Sequence, residues 1–295
     1  MNGFVHILSR IPLKHLYRVS DYLLYPLLYH VIRYRRKLVR QNLTLSFPEK
    51  PKREICDIER RFYHHLADII VETVWGAGAS FEEMNRHFIL ENIDEIESWI
   101  LQNGGVFFML GHLGNWEWTP EIQHRFHNPE IQHYNIYRRL KNKAMDNIMM
   151  DIRSHHSGEG SNVEKNDLIR HLVTLRQQKK PFCIGLISDQ KVNPKHAYYR
   201  TEFLHQDTTF LGGGEVLATK FGWAVTYVHI SMVERGVYRV NVKPISFAPK
   251  DEEKYAITEQ FVRMLEANIR EQPELWLWTH NRWKWERLQQ QEQKK

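Results

Sequence analysis

Cysteine is scarce: the 295-residue chain holds two, Cys56 and Cys183, with no C-x-x-C spacing. That excludes a disulfide-stapled scaffold and a cysteine-based zinc site, and it fits a reducing compartment. Long apolar runs are missing too. Residues 22–32 (YLLYPLLYHVI) make an apolar stretch of 11, interrupted by Pro26 and His30; a spanning helix needs about 20. Extending it upstream would carry Arg18 and Asp21 into the bilayer. Arg10, Lys14 and Arg18, with no A-x-A site following, also argue against a secretory signal. There is no internal repeat, no low-complexity tract and no linker rich in Gly, Ser or Pro. A mean hydropathy of −0.55 excludes a polytopic membrane protein. The 42 % hydrophobic and 12 % aromatic content equally exclude a disordered chain.

What the chain does have is a modest positive excess, 41 Lys+Arg against 35 Asp+Glu, unevenly spread. Five basic residues, Arg33, Arg35, Arg36, Lys37 and Arg40, directly follow the aromatic-rich stretch. An apolar helix with such an end suits a monotopic anchor on an anionic leaflet, facing the cytoplasm; a buried helix with a solvated basic end is the alternative. This divides the chain into residues 1–40, an N-terminal anchoring helix with its basic cluster, and residues 41–295, one folded domain. Nine Trp are many for this length. Trp116 and Trp118 fall in a candidate site loop. Trp276, Trp278, Trp283 and Trp285 gather near the C-terminus, where amphipathic rings could face lipid and water.

Periodicity predicts a helix over 93–103, stopped by Gly104-Gly105, then a buried strand over 106–110. Leu168, Ile169, Leu172 and Leu175 share one helical face, Pro181 breaks that helix, and 182–187 reads as a second buried strand. Gly212–Gly214 lead into a short helix. Residues 224–233 and 237–244 flank a hairpin turn, and Ile257, Phe261, Leu265 and Ile269 line a last helix. Helices alternating with short strands predict a single α/β domain, its central sheet mixed but mostly parallel and flanked by helices.

Both buried strands end in polar loops, GHLGNWE and SDQ, where ligand sites of open α/β sheets gather. His112 and Glu117 stand five apart in the first. With 17 His in the chain, chance alone yields about two His-x-x-x-x-Asp/Glu matches, and His229/Glu234 is the second. Five strand residues put that pair about 16 Å apart on opposite faces, so it should not meet. His112 lies beyond its strand, where a loop-to-helix junction can fold Glu117 back to the ring. A carboxylate on one ring nitrogen fixes the tautomer, and the other nitrogen can then take a proton from a substrate hydroxyl. A histidine buried for packing is the competing reading.

GHLGNWE, YRRLKN at 137–142, SDQ at 188–190 and the closing LWTHNRWK resemble the bacterial lipid A late acyltransferases, within the glycerolipid (lysophospholipid) acyltransferase superfamily. RRKLVRQNLTLSFPE at 35–49 and FLGGGEVLATKFGWAV from Phe210 are similar to further segments of that family. The resemblance implies transfer of a fatty acyl chain to a hydroxyl of a lipid A precursor at the inner membrane. The donor would be an acyl carrier protein or CoA thioester, as co-substrate with no cofactor. It makes His112 the general base and Glu117 its orienting partner. It sets the basic block of Arg138, Arg139, Lys141 and Lys143, with Asn142, against the phosphorylated acceptor, and makes Asn115 and Arg282 further substrate contacts; Asp189 and Gln190, closing the second strand, could shape the pocket, bind the acceptor or form a simple turn. Asn281 stands where the family usually has a second basic residue beside Arg282. Rival readings keep the chemistry on another lipid (an aminolipid, a glycerophospholipid or a polyene lipid), or keep lipid binding without turnover. No recognised nucleic-acid module appears, so nucleic acid is not an expected partner. His124, His127 and His133, and the adjacent His155-His156, read as surface loops in preference to a metal site.

Overall fold

The computed structural model describes residues 3–157, 160–192 and 199–292. Helices α1 (Gly3–Ser9) and α2 (Leu13–Val19) open the chain, and α2 runs on through two wide π-helical stretches, Ser20–Leu24 and Leu27–Val31. Next come α3 (Arg36–Ser46), the long α4 (Lys52–Gly76) and α5 (Phe81–His87). Strand β1 (Phe88–Leu90), α6 (Ile93–Asn103) and β2 (Gly105–Leu110) lead to a 3₁₀ segment, Trp116–Arg125. Then follow β3 (Gln132–Tyr137), α7 (Lys143–Ser157), β4 (Asn162–Glu164), α8 (Leu168–Gln178) and β5 (Phe182–Ile187). A small hairpin of β6 (Tyr199–Phe203) and β7 (Gln206–Phe210) precedes α9 (Gly213–Phe221). The chain closes with β8 (Ala224–Glu234), β9 (Val237–Ser246), α10 (Ala256–Glu271) and α11 (Lys284–Glu292).

Seven strands form one sheet in the order β1-β9-β8-β2-β5-β3-β4. Every neighbouring pair is parallel except the β8–β9 hairpin. The predicted mixed, mostly parallel α/β domain is therefore the one observed. All six residues of β2 are buried, because helices cover both faces and a period of two distributes its side chains between them. Phe107 and Met109 pack with α8, α9 and α10; Val106, Phe108 and Leu110 pack with α6 and the 3₁₀ segment. Parallel pairing sets Leu110 of β2 opposite Ile187 of β5. The two polar loops thus leave adjacent strands level with each other at the C-terminal edge.

The amino-terminal stretch packs against the rest of the chain. Leu13, Leu16 and Tyr29 are buried, Tyr29 beneath the Arg36 guanidinium at 4.0 Å. No helix among the described residues is long and apolar enough to cross a membrane. The basic cluster is also divided: Arg36 and Arg40 both clasp the buried Glu59, and Arg35 donates to the Thr279 carbonyl at 2.9 Å. Arg33 and Lys37 remain exposed.

A second departure concerns tryptophan. Trp276, Trp278 and Trp283 are buried in the main core rather than placed at the surface. Their polar edges are satisfied inside, Trp278 Nε1 donating to the Pro273 carbonyl at 2.6 Å and Trp283 Nε1 to Thr208 Oγ1 at 2.7 Å. An indole with an internal acceptor needs no water. Trp118, expected in the site, is likewise buried, against Trp75 and Tyr238.

Candidate active site

Because Leu110 and Ile187 are level, the residues two positions further, His112 and Asp189, face each other. Asp189 Oδ1 takes His112 Nδ1 at 2.6 Å, and Oδ2 accepts the His112 backbone N–H at 2.8 Å and Trp276 Nε1 at 2.8 Å. Three donors on one buried carboxylate fix both its rotamer and the ring it holds. Gly111 permits this approach, since a Cβ there would lie 2.6 Å from Leu265 Cδ1 and 3.2 Å from Asp189 Oδ2. The loop is pinned further by Gly114 N–H to the Leu275 carbonyl at 3.1 Å, with Gly114 at φ +54°, and by Leu277 N–H to the His112 carbonyl at 3.1 Å.

Burial by itself would lower the His112 pKa. The Asp189 charge and hydrogen bond, with a contribution from Glu117, outweigh it and leave the imidazole above its ordinary value. Burial would raise Asp189, but the same imidazole, the backbone N–H and Trp276 hold it well below the usual carboxylate range. The pair is therefore built to carry a proton on the ring. Nδ1 is committed to the carboxylate, so Nε2 is the atom left to exchange a proton.

Glu117 makes a different contact from the one the loop suggested. It forms a bidentate pair with Arg153 of α7, Nε to Oε2 and Nη2 to Oε1, both 2.8 Å, and also accepts Trp116 Nε1 at 3.2 Å. The 3₁₀ segment, with Pro120 inside it, turns this carboxylate toward α7, and Asp189 takes the ring position instead. Glu117 acts on His112 through its charge.

These groups open on a cavity of about 640 Å³. Ile136, Leu168, Leu186 and Leu217 line it from the side of the sheet under α8 and α9, where they pack against the main core. Leu211 and Gly213 extend that apolar wall. Trp116, Glu117 and Arg153 line it from the opposite face, and Arg138, Arg139, Lys141 and Lys165 add further cations to the lining. The lining thus combines an apolar wall with a set of cations. His280, whose ring lies 6.5 Å from that of His112, is kept neutral by burial, its pKa lowered to about 4.

The other expected site residues divide. Arg138, Lys141 and Gln190 line the cavity, and Arg139 does so while pairing with Glu164 at 2.9 Å. Asn142 Oδ1 accepts the Ala144 and Met145 N–H groups at the start of α7, a capping role. Asn115 is fully buried and donates to Glu72 Oε2 at 3.0 Å. Arg282 is a correction: it is fully buried under Phe210, 4.5 Å from that ring, and donates to the Thr209 carbonyl. It does not line the cavity, because the segment carrying it turns inward with the tryptophans. Arg153 was not anticipated; the basic block beginning at Arg138 was visible, but its continuation onto one face of α7 was not. Among the described residues no group of three His, Cys, Asp or Glu could hold a metal. The expectation for His156 lies outside the described side chains.

A His112–Asp189 pair at the strand ends of an α/β sheet, opening on a cavity lined by apolar and cationic side chains, lies where the ligand sites of open α/β sheets gather. The chain belongs to the bacterial lipid A biosynthesis acyltransferases, whose family model matches residues 1–285; it is an O-acyltransferase. It is 23 % identical over 252 residues to the lipid A biosynthesis palmitoleoyltransferase of Escherichia coli K12. It is equally similar to a lipid A biosynthesis acyltransferase of Shigella flexneri. Each alignment covers 85 % of this chain and 79 % of the relative.

Proposed function

We propose that the chain transfers a fatty acyl group from an acyl carrier protein or CoA thioester to a hydroxyl of a lipid A precursor, with His112 as general base. The observation that carries this is the His112–Asp189 pair at the cavity, which leaves Nε2 as the proton-accepting atom. Nε2 takes the acceptor's hydroxyl proton as its oxygen attacks the thioester carbonyl. The tetrahedral intermediate collapses with rupture of the C–S bond, and the imidazolium returns the proton to the departing thiolate. An ester and a free thiol result. Asp189 holds the ring tautomer and stabilises the imidazolium. Glu117 fixes Arg153, which with Arg138 and Lys141 meets the anionic groups of the acceptor, and the apolar wall receives the acyl chain.

The same proposal seats the protein on the cytoplasmic face of the inner membrane. Val19, Tyr22, Leu23, Leu27, Val31 and Ile32 are exposed along one side of the N-terminal helix. Lys14, Arg18, Arg33 and Lys37 are exposed beside them. An apolar stripe rimmed with cations matches an anionic leaflet surface. His112→Ala tests the chemistry: acyl transfer is lost while the melting transition and vesicle binding persist. Transfer retained within tenfold of wild type would refute the base assignment.

A further inference from the structure

Glu72 of α4 is fully buried, and its carboxylate is served by three neutral donors from three separate parts of the chain. Tyr17 Oη donates to Oε1 at 2.8 Å from α2; Asn115 Nδ2 at 3.0 Å and Tyr238 Oη at 2.8 Å donate to Oε2 from the catalytic loop and β9. Burial raises the Glu72 pKa to about 7, and the three donors oppose that rise. Buried carboxylates so arranged have no water to replace a lost partner, so each donor matters to the position of the others.

Two of those donors come from places with different tasks. Asn115 sits midway between His112 and Glu117. Tyr17 belongs to the helix whose outer side carries the exposed apolar stripe. Its ring lies 4.2 Å under the Arg235 guanidinium, which bridges Asp21 and Asp68, while Ser20 Oγ donates to Asp68 at 2.6 Å. A methyl at Gly236 would collide with the Tyr17 hydroxyl, so the tyrosine is also confined from the hairpin side. A shift of the surface helix therefore moves Tyr17, and Tyr17 moves the carboxylate that holds the catalytic loop.

We propose that Glu72 is a positioning residue for the catalytic loop, and that through Tyr17 it couples seating of the N-terminal helix on lipid to turnover. This rests on the acyltransferase and membrane readings above. The wild-type enzyme then works faster on acceptor presented in phosphatidylethanolamine–phosphatidylglycerol vesicles than on the same acceptor in detergent micelles. Tyr17→Phe keeps the ring and removes one hydroxyl.

The test measures kcat and KM for full-length wild type, Tyr17→Phe, Glu72→Gln and Glu72→Gln/Asn115→Asp on both presentations, with vesicle sedimentation and melting temperature alongside. With one of the three donors to the buried carboxylate removed, the loop is less firmly placed, which predicts about a ten- to hundredfold fall in kcat on vesicles for Tyr17→Phe. KM for the donor and vesicle binding stay unchanged, and the vesicle-to-micelle rate ratio falls toward one. The double variant returns a carboxylate to the other end of the same contact and recovers most of the kcat lost in Glu72→Gln. If Glu72→Gln fails to fold, Tyr17→Phe decides alone. A wild-type rate ratio in Tyr17→Phe overturns the coupling, as does a loss of activity that tracks loss of vesicle binding. Wild type that binds vesicles but transfers no acyl group refutes the activity reading, and wild type that does not bind them refutes the membrane reading and the coupling with it.

Discussion

Asp189→Asn replaces one oxygen of the dyad by an NH₂ group and changes almost nothing in size. In the native site Oδ2 receives two donors, the His112 backbone N–H and Trp276 Nε1, and Oδ1 receives His112 Nδ1. The asparagine oxygen is therefore best placed at the Oδ2 position, where two donors with fixed directions converge. Its NH₂ then points at Nδ1 and forces the ring into the tautomer protonated on Nε2, the wrong atom for a base. A carboxylate-to-amide change that inverts a catalytic histidine tautomer costs about 10³- to 10⁴-fold in rate, or ~4–5.5 kcal/mol of transition-state stabilisation. The pH profile moves as well. As the proposed base His112 acts only when neutral, and its pKa is raised, so the wild-type acid limb of kcat/KM is expected above 6.5. In the variant burial remains without the carboxylate, and that limb moves below 6.5. Stability follows the opposite course. A raised His112 contributes fully below 6.5 and loses its contribution as pH climbs through its folded value. A depressed Asp189 contributes above 3.8 and loses its contribution as pH falls toward its folded value. The melting-temperature gap between wild type and variant is thus widest between those limits and narrows as pH climbs through the folded His112 value. Single-turnover transfer from a thioester donor, measured from pH 5 to 9, checks the kinetic claims. An Asp189→Asn enzyme within tenfold of wild type, with its acid limb unmoved, would refute the argument.

The Glu117–Arg153 pair acts as one unit, so Glu117→Ala and Arg153→Ala each lower kcat/KM by about ten- to a hundredfold, and the double variant costs little more than the worse single one; a double-mutant cycle measures this. Gly213 lines the cavity, and a Cβ there would meet nothing within 4 Å. Gly213→Leu therefore folds normally and shifts donor preference to shorter acyl chains, read from competition between donors of different length; an unchanged product distribution would contradict the assignment of the apolar wall. Arg33→Glu/Lys37→Glu reverses two exposed charges beside the apolar stripe. Each charge near an anionic surface is worth about 1 kcal/mol, so vesicle binding at low salt falls at least tenfold while transfer in micelles is retained.

Sequence pattern was informative where the signal is local. Apolar runs bounded by Gly104-Gly105 and Pro181 located β2 and β5 to within a residue, because fully covered parallel strands need continuous hydrophobicity. The loops GHLGNWE and SDQ were correctly placed at one site for the same reason. The partner of His112 was not legible. Loop reasoning offers the carboxylate five residues away, whereas the observed partner is 77 residues distant and is delivered by strand register. His229 shows the same lesson in reverse: it avoids Glu234, as strand geometry demanded, and meets Glu271 at 2.9 Å. The terminal tryptophans misled because composition does not reveal which way a turn-rich segment folds; Arg282, taken from the resemblance, lies on the same inward-folding segment. Residues such as Trp283 qualify equally for a lipid interface and for a core that offers an acceptor.

The carboxylate of Asp189 gathers an imidazole and a peptide N–H from residue 112 and an indole from residue 276. A ribosome releases residue 112 well before the carboxylate at 189, and the indole at 276 later still. The nascent chain exposes its histidine early, yet that ring meets Asp189 only once β5 has docked, and the carboxylate gains its third donor only once residue 276 has followed. A chain cut short of residue 189 thus carries the histidine without the carboxylate that orients it. Stretches remote in sequence must therefore be folded together before the pair exists, so its geometry reports completed assembly of the sheet and of the segment at 276.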